Sequence, residues 1–171
     1  MGSQSQDIGS FSAPKASPRN RVQYAPPRTV HVSPGAKAST ELEFRVNPGY
    51  HINSNQPGSE LLVPTQLKLS PPTNVIVGDV QYPAGHDFTL AASPDEKLNV
   101  YTGDFSVATL VTATRNTPPG LYRVHGFLQY QACDDRSCYP PAKLPIAFDV
   151  RVGRAAKAHR RNPAQSPDIH N

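Results

Sequence analysis

LYRVHGFLQYQACDDRSCYPPAKLPIAFDVRV, residues 121–152, holds two alternating apolar and polar runs, with a short polar loop and two cysteines between them. It reads as strand, loop, strand. Asp134-Asp135-Arg136-Ser137 is a run of turn-forming residues. In the second strand, Leu144–Val152, the apolar residues Ile146, Phe148, Val150 and Val152 fall on one face. A hairpin with this loop sets Cys133 opposite Cys138. Opposed residues on antiparallel strands have Cα atoms about 4.5–5.5 Å apart, and a disulfide needs roughly 4.4–6.8 Å, so the spacing permits a bond.

The same period of two continues upstream. In Ser39–Val46 (STELEFRV), Leu42, Phe44 and Val46 face one way, and Glu41, Glu43 and Arg45 the other. Further strands are predicted at Thr29–Val32, Thr65–Leu69, Val75–Tyr82, Phe88–Ala91, Phe105–Ala113 and Leu121–Gln131. Turns at Asn47-Pro48-Gly49, Pro83-Ala84-Gly85 and Thr117-Pro118-Pro119-Gly120 punctuate them. No segment sustains the 3.6-residue period of a helix. Short strands of this spacing predict an all-β fold, an immunoglobulin-like antiparallel β-sandwich, with a small barrel as the alternative. The chain has no Trp, and its two cysteines lie too close in sequence to bridge two sheets, so this is not an antibody-type domain.

The ends differ from the middle. Residues 1–37 carry five Lys/Arg against one Asp, and residues 153–171 carry four against one. Residues 38–152 carry eight against eleven Asp/Glu, a net of −3. Residues 1–27 are rich in Ser, Pro, Gln and Asn, a composition that buries too little apolar surface to offset ordering entropy. The expected organisation is a disordered segment 1–27, a domain 28–152 and a basic disordered tail 153–171. The tail's Arg154, Lys157, Arg160 and Arg161 are read as a solvated charge run, not a nucleic-acid site, which would need a basic face on a fold. No apolar run approaches the roughly 20 residues of a membrane-spanning helix. The first 30 residues show no apolar signal core.

The cysteine pair has several readings. As a structural hairpin bridge it closes a very short ring, and chain-entropy arithmetic gives about 2 kcal/mol. As a redox pair it would be labile and exposed. A metal site lacks ligands, since only His125 or His51 could add to two thiolates. Two inert thiols complete the alternatives. Asp134 and Asp135 disfavour a thiolate and Arg136 favours one. No phosphate loop, HExxH pattern or serine nucleophile motif is present, and no cofactor or metal is expected.

Tyr130-Gln131-Ala132-Cys133 followed by Cys138-Tyr139-Pro140-Pro141 resembles the signature of the N-terminal domain of the thiol:disulfide interchange protein DsbD family. Asn47-Pro48-Gly49-Tyr50-His51-Ile52-Asn53, then Pro64-Thr65-Gln66-Leu67, is similar to an upstream strand of that family, and Val100-Tyr101-Thr102-Gly103 fits as well. The likeness covers residues 30–152. It implies an immunoglobulin-like sandwich with the cysteines at one end under a cap loop, located in the periplasm or otherwise exported. It implies protein-disulfide reductase-type electron transfer. Thioredoxin-like redox proteins on other chains would be donor and acceptor, the acceptors including disulfide isomerases and cytochrome c maturation thioredoxins. By position, Cys138 would be the attacking thiol and Cys133 the resolving one, acting through a mixed disulfide.

There are departures from the pattern. The spacing between the cysteines is one residue shorter than in well-known members. His51 and Asn53 stand where those members carry aromatics. The stretch matching the cap loop, Ala91–Lys97 (AASPDEK), has no aromatic, which leaves the shielding of the pair open. The candidate supporting residues are Tyr50, His51, Asp134, Arg136 and Tyr139. His51 reads either as a proton donor or hydrogen-bond partner for the thiols or as a half-buried strand histidine. Tyr139 packs over Cys138 or covers the sandwich end. The competing functional reading is a non-enzymatic β-sandwich that binds a partner protein and is stapled by its disulfide; the chain is expected to be a monomer.

Overall fold

The computed structural model describes residues 21–155, and among them there is no α-helix. Twelve strands follow in chain order: β1 (Val22–Ala25), β2 (Val30–Val32), β3 (Lys37–Val46), β4 (His51–Asn53), β5 (Gln66–Ser70), β6 (Val75–Val77), β7 (His86–Leu90), β8 (Ser93–Tyr101), β9 (Asp104–Ala113), β10 (Gly120–Tyr130), β11 (Ala132–Cys133) and β12 (Ala142–Val152). Two four-stranded sheets, β1-β3-β9-β6 and β2-β12-β10-β5, make the sandwich, and β11-β4-β8-β7 makes a third sheet. Within them β2 runs parallel to β12 and the other strand pairs are antiparallel. This is the expected immunoglobulin-like sandwich.

Alternation in the sequence becomes burial in the core. Leu42, Phe44 and Val46 of β3 and Val107 and Val111 of β9 are at most 2% exposed. Across from them Val124 and Leu128 of β10 and Ile146, Phe148, Val150 and Val152 of β12 are buried as well. Each such aliphatic or aromatic side chain contributes about 1.5–3 kcal/mol when fully buried, which fixes both register and face because a one-residue slip would turn every one of them to solvent.

The third sheet grows out of one end of this sandwich. β3 passes into β4 through Asn47–Tyr50, β8 into β9 through Thr102-Gly103, and β10 into β11 through Gln131. The first of these is a tight turn closed by the Tyr50 N–H donating to the Asn47 carbonyl at 3.2 Å. Its third position is Gly49 at φ 84°, the left-handed value that a turn of this kind assigns to glycine.

The structure revises several details of the expected fold. β1 lies inside the segment read as disordered. Val22 is 1% exposed, β1 pairs with β3 from Val22↔Val46 to Ala25↔Glu43, and the Tyr24 hydroxyl donates to the Ala147 carbonyl of the opposite sheet at 3.1 Å. The domain thus begins before residue 28. The expected strand Val75–Tyr82 is regular only to Val77. Beyond it the chain stays at the sheet edge through Gly78 N–H to the Leu110 carbonyl and a Gln81–Ala108 bridge. The stretch read as a cap loop, Ala91–Lys97, is the tip of the β7–β8 hairpin and the first residues of β8, with an irregularity at Thr89/Leu90. As expected, Cys133 and Cys138 stand opposite each other, beyond the continuous β10–β12 pairing that runs from Gly120↔Val152 to Tyr130↔Ala142. Residues 1–20 and most of the basic tail, 156–171, lie outside the described residues.

If β1 belongs to the core, Val22→Ala lowers unfolding free energy by about 1.5–3 kcal/mol, measured by urea denaturation; a loose tail residue would give a change within about 0.5 kcal/mol.

Candidate functional site

Tyr130 ends the long ladder, and Pro140-Pro141 explain why it cannot resume before Ala142: proline has no N–H to donate. The intervening residues leave the sandwich and join the third sheet. Ala132 pairs with Ile52 and Cys133 with His51. The chain then turns over residues 134–137 and comes back so that Cys138 bridges Cys133. The Asp134 N–H donates to the Ser137 carbonyl at 2.9 Å, and the Tyr139 N–H to the Ala132 carbonyl at 2.8 Å. The two cysteines form a disulfide with Cα atoms 4.0 Å apart. Its halves differ: Cys133 is 1% exposed and Cys138 is exposed.

Asp134 organises the loop. Its Oδ1 accepts from the backbone N–H of Arg136 and of Ser137, each at 2.8 Å. Its Oδ2 accepts from the Tyr139 hydroxyl at 2.5 Å. These are the local side-chain-to-backbone bonds by which aspartate fixes turns. The Tyr139 hydroxyl first, then the two N–H groups and the Arg136 charge, hold the carboxyl at about 2, while the same carboxylate pushes the Tyr139 phenol up. Arg136 itself contributes through its backbone and its proximity to Asp134.

Tyr139 is read two ways in the sequence, over Cys138 or over the sandwich end. In the structure its ring lies under the Arg21 guanidinium, 3.5 Å from ring centroid to Cζ. It meets Tyr50 edge-on at 6.1 Å, and Arg21 also lies 5.6 Å from the Tyr50 ring. The Arg21 backbone is hydrogen-bonded to the buried Tyr130 hydroxyl, and its carbonyl accepts from the Asn47 N–H at 2.8 Å. The start of β1 therefore clamps the loop that carries the cystine.

On the other side stands His51. It is 4% exposed, so the reading of a half-buried histidine is corrected. It is the residue directly opposite Cys133, and directly opposed residues of an antiparallel pair share a sheet face. The Phe88 ring of β7 packs on the imidazole at 4.4 Å. Burial pushes the His51 pKa down, nearby Asp134 acts against that, and His86 adds to it. Its Nε2 is buried with no hydrogen-bond partner. Two residues on, Asn53 is 0% exposed; its amide donates to the Val63 carbonyl at 3.0 Å and to Gln131 Oε1 at 3.1 Å. The Gln131 side chain in turn donates to the Tyr139 carbonyl at 3.4 Å.

All the sequence candidates, Tyr50, His51, Cys133, Asp134, Arg136, Cys138 and Tyr139, thus gather at one end of the sandwich. Sequence reasoning missed Arg21, Asn53, Gln131 and Phe88 as parts of the site. Gln131 lies inside the quoted motif and could have been singled out; Arg21 sits in a segment without any local signal. Among the described residues no cluster of His, Cys, Asp or Glu could hold a metal ion, and no helix is long and apolar enough to cross a membrane.

An immunoglobulin-like sandwich bearing a loop cystine, one cysteine buried and the other exposed, has the build of a thiol–disulfide exchange domain. Residues 21–149 match the family described as "Thiol:disulfide interchange protein DsbD, N-terminal". The chain belongs to this family, whose general chemistry is thiol–disulfide interchange. Among solved structures it is similar to the DsbD N-terminal domain of Neisseria meningitidis in the reduced form, at 22% identity over 65% of this chain and 74% of that one, with a TM-score of 0.40. It is also similar to the N-terminal periplasmic domain of ScsB from Proteus mirabilis, at 14% identity over 80% of this chain but only 47% of that one, with a TM-score of 0.47. The seventh ScaB type I cohesin from Pseudobacteroides cellulosolvens gives 12% identity, 79% and 94% coverage and a TM-score of 0.48. At such identities and TM-scores these likenesses add nothing to the family assignment. No curated protein sequence matches the chain.

The loop's own chemistry is testable by pH. Because folding lowers the Asp134 pKa, its contribution to loop order is fully present above about pH 4 and is lost as pH falls through about 2. NMR titration of the carboxyl should show a midpoint near that low value, and Tyr139→Phe should move it up toward the ordinary 3.8.

Proposed function

We propose that this domain passes reducing equivalents to oxidised proteins of the periplasm by cycling the Cys133–Cys138 disulfide. The observation that favours this most is the inequality of the two cysteines: Cys138 is exposed and Cys133 is buried. A donor thiolate attacks the Cys138 sulfur, the Cys133–Cys138 bond breaks, and Cys133 leaves as thiolate. The donor's second thiol then displaces Cys138, and two electrons and two protons have entered the domain. Toward an acceptor the order reverses. Cys138 thiolate attacks the acceptor disulfide and forms a mixed disulfide; Cys133 then attacks the Cys138 sulfur and releases the acceptor as a dithiol.

In this reading the domain acts as a monomer, and both redox partners are thioredoxin-like proteins on other chains. The acceptors are disulfide isomerases and the thioredoxins of cytochrome c maturation. Asp134, Arg136, Tyr139 and Tyr50 serve by holding the loop, with Arg21 as the clamp. The potential of such a pair falls between those of thioredoxin and protein disulfide isomerase.

Two measurements test it. Cys133→Ala should accumulate mixed disulfides through Cys138 when incubated with an oxidised thioredoxin-fold protein, and Cys138→Ala should accumulate none. A redox titration should place the pair between about −270 and −180 mV. A potential below about −300 mV, together with no adducts, would leave only the disulfide-stapled binding module.

A further inference from the structure

The geometry points to His51 as the base that takes the proton from the Cys133 thiol when Cys133 resolves a mixed disulfide. The inference rests on the exchange cycle proposed above and adds to it the group that makes its second step possible. Cys133 is 1% exposed, so once reduced its S–H faces packed side chains and cannot lose its proton directly to water. The residue opposite it in the β4–β11 pair is His51, with Cβ atoms expected about 4.5–5.5 Å apart and both side chains on one face. The imidazole is itself 4% exposed, and the Phe88 ring, 4.4 Å away, covers it.

The Nε2 atom is the telling feature. It is buried and has no hydrogen-bond partner while the sulfurs are joined. A buried polar atom left in this way calls for a reason, and a disulfide sulfur carries no proton to offer it. Reduction creates such a proton one residue across the strand pair.

The surroundings keep the ring ready to accept. Burial lowers its pKa, and His86 on β7 lowers it further, while Asp134, next to Cys133, acts the other way. The neighbouring position after β8 is Thr102, uncharged, whose hydroxyl lies 3.4 Å from His86 Nε2. Neutral imidazole is therefore the resting form at neutral pH. In the resolving step Nε2 gains the Cys133 proton as the Cys133 sulfur bonds to the Cys138 sulfur. The bond from Cys138 to the partner breaks, and the partner's sulfur leaves with the electron pair. The imidazolium then returns its proton to that leaving thiolate or to solvent, so charge and protons balance.

The reduced full chain mixed with 5,5′-dithiobis(2-nitrobenzoic acid) separates the two steps. Attack by Cys138 releases one thionitrobenzoate, and resolution by Cys133 releases the second. In the wild type the second phase should be flat above neutral pH and should fall as His51 protonates, below its ordinary 6.5. His51→Gln should slow that phase by about 100-fold near neutral pH, the scale of general-base assistance, and make it climb with pH toward the free-thiol range of about 8.5. The first phase should be unchanged. An unaltered second phase in His51→Gln, with the wild-type pH profile, overturns the role of His51 and leaves the exchange cycle standing. A wild type that stops at the mixed disulfide overturns the cycle itself. Should His51→Gln perturb the fold, seen as a change in the first phase, the wild type decides alone. The inflection of its second phase must coincide with the His51 titration followed by NMR, and a mismatch overturns the assignment.

Discussion

Between Tyr130 and Ala142 the long β10–β12 hairpin has no ladder of its own, and the brief pairing of Ala132 and Cys133 with Ile52 and His51 takes its place. The site depends on that pairing. It carries Cys133 out of the sandwich, buries it against the third sheet, and sets His51 beside it. The prolines 140 and 141 make the excursion necessary, because they remove the N–H groups that a continued ladder would use. The disulfide then closes a loop already shaped by backbone bonds.

The loop is held by charged and aromatic groups drawn from distant parts of the chain. Arg21, at the entrance to β1, stacks on Tyr139, and Tyr139 donates to Asp134, which in turn binds the backbone of the turn. Hydrogen bonds to a carboxylate are among the stronger ones in proteins. A guanidinium over an aromatic ring adds about 0.5–2 kcal/mol, depending on its desolvation. Each member of the chain positions the next, so these contributions are coupled. On the other flank Gln131 and Asn53 tie the same loop to Val63. The cystine therefore sits in a rigid frame with one open side, and that side exposes Cys138.

The two cysteines thus differ in burial, Cys133 packed and Cys138 exposed, and the proposed exchange cycle takes its direction from that difference. Membership of the DsbD N-terminal family gives the class of chemistry. Within that frame His51, paired opposite Cys133, is buried under Phe88 of β7.

The core strands β3 and β12 and the cysteine motif were legible in the sequence, because a period of two and a pair of cysteines flanking turn residues are local patterns. Thus the spacing of Leu42-Phe44-Val46 and of Ile146-Phe148-Val150-Val152 is enough to assign them to a buried face, and with them an immunoglobulin-like sandwich. β1 was hidden, since Val22 and Tyr24 lie among polar residues and prolines and become a strand only by pairing with β3. β8 was hidden for a similar reason: Ser93–Lys97 is polar and resembles a loop, and its pairing with β7 makes it a hairpin. The chain by itself determined which residues alternate, where it turns and which two sulfurs can join. Only the tertiary structure decided that Cys133 is packed and Cys138 open, that Arg21 reaches Tyr139, and that Phe88 covers His51. Those facts arise from contacts between residues far apart in the chain, and no local pattern encodes which distant side chain will cover a given one.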